Sequence, residues 1–131
     1  LMEGKNTIFS YMYRDGSNYK FGGEVIFKGF RELGLEEKLR EALADGENFI
    51  ARQIGVPDVF PFPEEYSFDE DCDHCWHEFT GLEATSRDAT DEKGRSITEF
   101  VNEVQKIGPA GWIEFDPVEL CRFPEPSGGS I

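Results

Sequence analysis

Residues 7–13, Thr-Ile-Phe-Ser-Tyr-Met-Tyr, alternate in side-chain character. Phe9, Tyr11 and Tyr13 fall on one face and Ile8, Ser10 and Met12 on the other, which predicts a strand. Residues 24–28 predict a second strand, with Val25 and Phe27 together. Between them lies Arg14-Asp15-Gly16-Ser17-Asn18-Tyr19-Lys20, rich in turn formers, followed by Gly22-Gly23. This reads as a long-looped hairpin.

The period then lengthens. Leu35, Leu39, Ala42 and Leu43 follow helical spacing, with Glu36 four residues before Arg40 and Asp45-Gly46 as a stop. Asn48 is expected to cap a second, short helix whose stripe is Phe49, Ile50 and Ile54, closed by Gly55 and Pro57. The segment 58–63 reads as irregular. Trp76 to Ala84 predicts a strand with Cys75, His77 and Phe79 on one face, and Asp91-Glu92-Lys93-Gly94 a turn. Ser96 and Glu99 have the spacing of a capping box, in which each side chain satisfies the other residue's backbone N–H. Ile97, Phe100, Val101, Val104 and Ile107 form the apolar stripe of the helix that follows, expected to end at Gly108-Pro109. A last strand is expected from Trp112 to Phe115, and a frayed tail from about residue 123.

These elements predict a single α+β domain over residues 1–131. It has an N-terminal β-hairpin, two to three helices and a C-terminal strand–helix–strand, whose linker is long enough for a right-handed parallel crossover. The 131 residues suit one core, and 12 Phe with 38% apolar residues can fill it. No run approaches the roughly 20 apolar residues of a membrane helix, and no secretory signal pattern stands near Leu1.

Charge changes the picture more than composition does. The chain has 13 Lys+Arg against 27 Asp+Glu, a formal charge of −14. Residues 53–86 hold nine of those acids, both histidines and neither Lys nor Arg, whereas residues 1–52 are close to balanced. An irregular acidic excursion is expected over about 56–75. Such a balance argues against nucleic acid, whose phosphates need clustered Lys and Arg. The excursion can be a solvated loop that maintains solubility, a metal site, or a surface for a basic partner.

Asp71-Cys72-Asp73-His74-Cys75-Trp76-His77-Glu78 concentrates metal-ligand types. Cys72 and Cys75 have the gap that lets two thiolates reach one ion, and an extended 75–79 points His77 the same way as Cys75. Cys72, Cys75 and His77 are therefore the candidate zinc ligands, with Cys121, Asp71 or Asp73 as a fourth. No second Cys or His pair follows at a distance, so an incidental cluster is the competing reading. Thiol or Cys–His nucleophilic catalysis is disfavoured, because the neighbouring acids raise a thiol pKa where catalysis needs it lowered. Three cysteines make no disulfide framework, which suits a reducing cytoplasm.

The hairpin offers a second candidate. Arg14, Asn18, Tyr19 and Lys20, flanked by Tyr11, Tyr13 and Phe21, could stack and clamp an anionic ligand. Against this, alternating aromatics are what a sheet face contains in any case.

The run Tyr13-Arg14-Asp15-Gly16-Ser17-Asn18-Tyr19-Lys20, followed by Glu24-Val25-Ile26-Phe27 and later by Trp76-His77-Glu78-Phe79, resembles a family of small uncharacterised bacterial proteins. Their shared features are a Tyr-Arg-Asp-x-Ser-Asn-Tyr-Lys hairpin, a Val/Phe strand and a Trp-His-Glu-Phe-like segment. The resemblance covers about a third of the chain and implies a bacterial cytoplasmic protein. It brings no activity with it, and the Cys72–Cys75 pair lies outside the shared pattern. The expectation is a small non-catalytic protein that binds a partner, a basic one by charge. The alternative is a metal-binding protein or metal-dependent enzyme using the Cys/His cluster.

Overall fold

The computed structural model describes residues 5–14, 20–59 and 75–114. Strands β1 (Asn6–Arg14) and β2 (Lys20–Lys28) form the N-terminal hairpin. Helix α1 (Leu35–Ala42) follows, then a two-residue strand β3 (Asn48–Phe49) and a 3-10 turn at Ala51–Ile54. Strand β4 (His77–Thr85) and helix α2 (Ile97–Ala110) complete the α+β domain. The sheet runs β2-β1-β4-β3 with every pair antiparallel.

Aromatic rings hold the sheet to the helices. Phe9 is fully buried at the middle of β1 and meets the rings of Tyr11, Phe27, Phe49, Phe79 and Phe100 at centroid distances of 5.0–6.3 Å. Phe100 of α2 stacks on Phe27 at 4.2 Å, while Leu35 and Leu39 of α1 and Val101 and Val104 of α2 enter the same cluster. Burying one such side chain contributes about 1.5–3 kcal/mol, so this layer dominates the stability of the fold. A bulge between Ser10 and Tyr11 shifts the register with β4, pairing Phe9 with Leu82 but Tyr11 with Phe79. Leu82 and Phe79 therefore share the core face despite their odd spacing.

The capping box forms as expected: Glu99 N–H donates to Ser96 Oγ at 3.0 Å, and Ser96 N–H to Glu99 Oε1 at 2.9 Å. The Glu36–Arg40 pair is also present, at 3.3 Å.

Four expectations change. β2 begins at Lys20 rather than 24 and includes Gly22-Gly23. A Cβ on Gly23 would lie 2.7 Å from Val59 Cγ1 and 3.2 Å from Tyr11 Cζ, so the glycine is there for close approach rather than for a turn. Asn48 caps no helix. Asn48 and Phe49 pair with Glu78 and His77 of β4, and only Ala51–Ile54 coils.

Helix α2 also continues past Gly108-Pro109 to Ala110, and Gly111 at φ 121° ends it. Gly108 is where α1 crosses, and a Cβ there would collide with the Ala42 carbonyl. Residues 112–114 are not a strand. Ile113 N–H donates to Gln53 Oε1 at 2.7 Å, so this segment is tied to the 3-10 turn and no parallel crossover forms over 112–114. Phe115, the tail from about 123 and most of the acidic excursion lie outside the described residues.

Candidate functional site

Asp45 and Gly46, both with positive φ (54° and 76°), turn the chain back after α1 so that Ala44 bridges Asn48. β3 then lies against the start of β4, which brings Asn48 beside Glu78. The result is a cleft of about 350 Å³ lined by Ala44, Asp45, Asn48, Trp76 and Glu78. Trp76 Nε1 donates to Glu114 Oε2 at 2.7 Å, and the Trp112 ring meets Trp76 edge-on at 6.4 Å. Exposed Asp45 and Glu47, half-buried Asn48 and two indoles thus gather at one end of the sheet.

Arg14 binds Glu78, one of the residues lining this cleft. Its Nε and NH2 donate to Glu78 Oε2 and Oε1 at 3.1 and 3.3 Å, a two-pronged pair across β1 and β4. The Glu78 hydrogen bond and charge push the Arg14 guanidinium pKa up, and Glu47 adds to the effect. Arg14 is therefore committed to Glu78, a connection that the sequence reading missed. In β2, Lys20 is its cross-strand partner, so the two cations do stand together at the end of the hairpin where β1 connects to β2. Asn18 and Tyr19 lie outside the described residues. Tyr11 and Tyr13 are buried in the core, so neither presents a ring for stacking.

Of the candidate metal ligands, Cys72 lies outside the described residues, as do Asp71, Asp73, His74 and Cys121. Cys75 and His77 are both buried at the start of β4. The His77 ring sits 5.5–6.0 Å from those of Tyr13, Tyr11 and Phe49, and its Nε2 accepts the Val59 N–H at 3.1 Å. A metal on His77 would have to displace that bond or use Nδ1. Among the described residues, no three His, Cys, Asp or Glu side chains converge as a metal site.

Two buried polar groups went unforeseen. Tyr11 donates its hydroxyl to the Pro57 carbonyl at 2.6 Å; burial, with Asp58 nearby, pushes its phenol pKa well up. Arg95, only 5% exposed, binds Asp91, Glu103 and the carbonyls of Ile54 and Gly55, and lies over the Phe100 and Phe27 rings. It fastens the 3-10 turn to α2.

A larger open cleft, about 660 Å³, lies beside β2 and is lined by Glu24, Arg52, Pro57, Asp91 and Lys93 among others. Its charges are mixed and partly committed, Asp91 to Arg95 and Arg52 to Asp58. No helix of the described residues is long and apolar enough to cross a membrane. No family model, curated protein or solved structure matches this chain.

Proposed function

We propose that this is a small non-catalytic bacterial cytoplasmic protein that binds a partner through a basic segment, received at the cleft between α1 and the start of β4. The observation that carries the reading is the setting of Trp76: an indole in a cleft with Asp45 and Glu78, within a stretch of nine acids and no Lys or Arg. A Lys or Arg side chain entering there would meet carboxylates and an aromatic ring together, the two groups that recognise cations. Asp45 makes no ion pair among the described residues, so its charge is available.

Titration with an oligolysine peptide, followed by Trp fluorescence, tests this. Binding should weaken as salt rises, and an oligoglutamate control should not bind. Asp45→Asn keeps a residue that tolerates positive φ while removing the charge, so it should weaken binding without unfolding the protein. Absence of binding, or binding indifferent to Asp45→Asn, defeats the reading.

The zinc alternative rests on Cys75, just before β4, and His77, its first residue, lying two apart and both buried. Elemental analysis of untagged protein tests it: close to one zinc per chain, lost in Cys72→Ser, supports the site, and substoichiometric zinc removes it.

A further inference from the structure

β2 is an outer strand of the sheet, and its two halves are treated differently. Near its end the outward backbone groups are covered. Ile26 N–H donates to Thr90 Oγ1 at 2.9 Å, the Ile26 carbonyl accepts from Thr90 N–H at 2.8 Å, and Lys28 N–H donates to the Arg95 carbonyl at 3.3 Å. Outward and inward groups alternate along an antiparallel strand, and β1–β2 has no register break. The N–H and C=O of Lys20, Gly22 and Glu24 must therefore point outward as those of Ile26 do. All three residues are exposed, and their outward groups take no backbone partner among the described residues. Such a row is a template for another strand.

We propose that a second copy of this chain pairs there, β2 against β2 and antiparallel, about a two-fold axis at Gly22. The register follows from the residues. With Gly22 facing the partner's Gly22, Lys20 faces the partner's Glu24 and Glu24 faces the partner's Lys20, each on the same face of the joined sheet. Both charge pairs are attractive, and directly opposite residues are the ones that interact across strands. Glu24 also holds Arg87 of its own chain at 2.8 Å, so its carboxylate is shared between Arg87 and the partner's Lys20. A shift toward Lys28 would bring in Ile26, whose outward groups are already taken by Thr90. The symmetric pairing is isologous and closed, so it stops at a dimer. It uses the sheet edge opposite β3 and leaves the Trp76 cleft open, so it stands independently of the basic-partner reading.

Each copy carries a charge of −14, so repulsion opposes association and the test belongs at physiological ionic strength, where charges beyond about 8 Å are screened. Sedimentation equilibrium from micromolar to millimolar protein should show a monomer–dimer equilibrium. Lys20→Glu and Glu24→Lys each turn both pairs repulsive and should weaken the dimer roughly tenfold or more. An equimolar mixture of the two variants restores both attractions and should dimerise, as should the doubly swapped chain. Circular dichroism of each variant checks that its fold is retained. A monomer at every concentration overturns the proposal. So does a dimer indifferent to both single reversals, or a mixture that stays monomeric.

Discussion

Arg95 and Asp91 meet four residues apart in a doubly bonded ion pair sealed from water. Asp91 Oδ1 lies 2.9 Å from Arg95 NH2, Asp91 Oδ2 accepts Arg95 Nε at 3.0 Å, and the side chains are 6% and 2% exposed. Asp91 Oδ2 also accepts the Arg95 backbone N–H at 2.9 Å, which closes the turn ahead of α2. A buried ion pair adds little net stability over apolar packing, but removing one partner leaves the other charge stranded.

Asp91→Asn should therefore cost roughly 3 kcal/mol at neutral pH. Burial by itself would raise the Asp91 carboxyl, but the hydrogen bonds and charge of Arg95 outweigh it and hold the pKa below the ordinary value. The folded protein thus holds this proton less tightly than the unfolded chain. The stabilisation is complete above the unfolded value near pH 4 and is lost as pH falls through the lower folded value. In urea melts, the gap between wild type and Asp91→Asn should be wide at pH 7 and narrow steadily below about pH 4. A gap that stays constant to low pH would show that the pair does not titrate as its geometry requires.

Tyr11 gives the alkaline counterpart. Its phenol is pushed up by burial first and by Asp58 second, so the folded state retains the proton while the unfolded chain loses it near pH 10. This contribution is complete below about pH 10 and is lost as pH rises above it. Tyr11→Phe should cost about 1 kcal/mol at pH 7 through the lost bond to the Pro57 carbonyl. Ultraviolet titration of the folded protein should lose, in that variant, one tyrosine that ionises above the ordinary phenol range.

Gly108→Ala separates helix propensity from packing. In an exposed helix interior the change would stabilise by about 1 kcal/mol. Here the new methyl meets the Ala42 carbonyl, and overpacking of this kind costs about 1–3 kcal/mol. The melting temperature should fall; a rise would mean that α1 does not cross α2 at this point.

Val101 is fully buried, at the centre of the apolar face of α2. Val101→Asp would set an unpaired carboxylate in that layer and should cost roughly 3 kcal/mol or more. An unchanged denaturation midpoint would place this face of α2 in solvent.

Legibility from sequence divides by range. The Phe9/Tyr11/Tyr13 alternation and the apolar stripe of α2 were readable because a strand or helix repeats its pattern within a few residues. The Asn48–Phe49 strand was not, since two residues have no period and their pairing depends on Glu78 and His77 some thirty residues on. Trp76 was placed at the head of its strand, but nothing local joined it to Asp45, Asn48 or Arg14.

The chain by itself therefore determined the α+β class, the hairpin, the capping box and the acidic block, because propensity, capping and charge density are properties of neighbouring residues. Tertiary structure alone decided where the charges matter. Arg95 reads as one more base after a turn until Ile54, Gly55 and Glu103 fold around it. Gly108 reads as a helix stop until α1 lies across it. Arg14 reads as a loop cation until β4 brings Glu78 to it. Each of these roles is a contact between distant residues, and the energy of a contact depends on which atoms meet and on how much water is left between them.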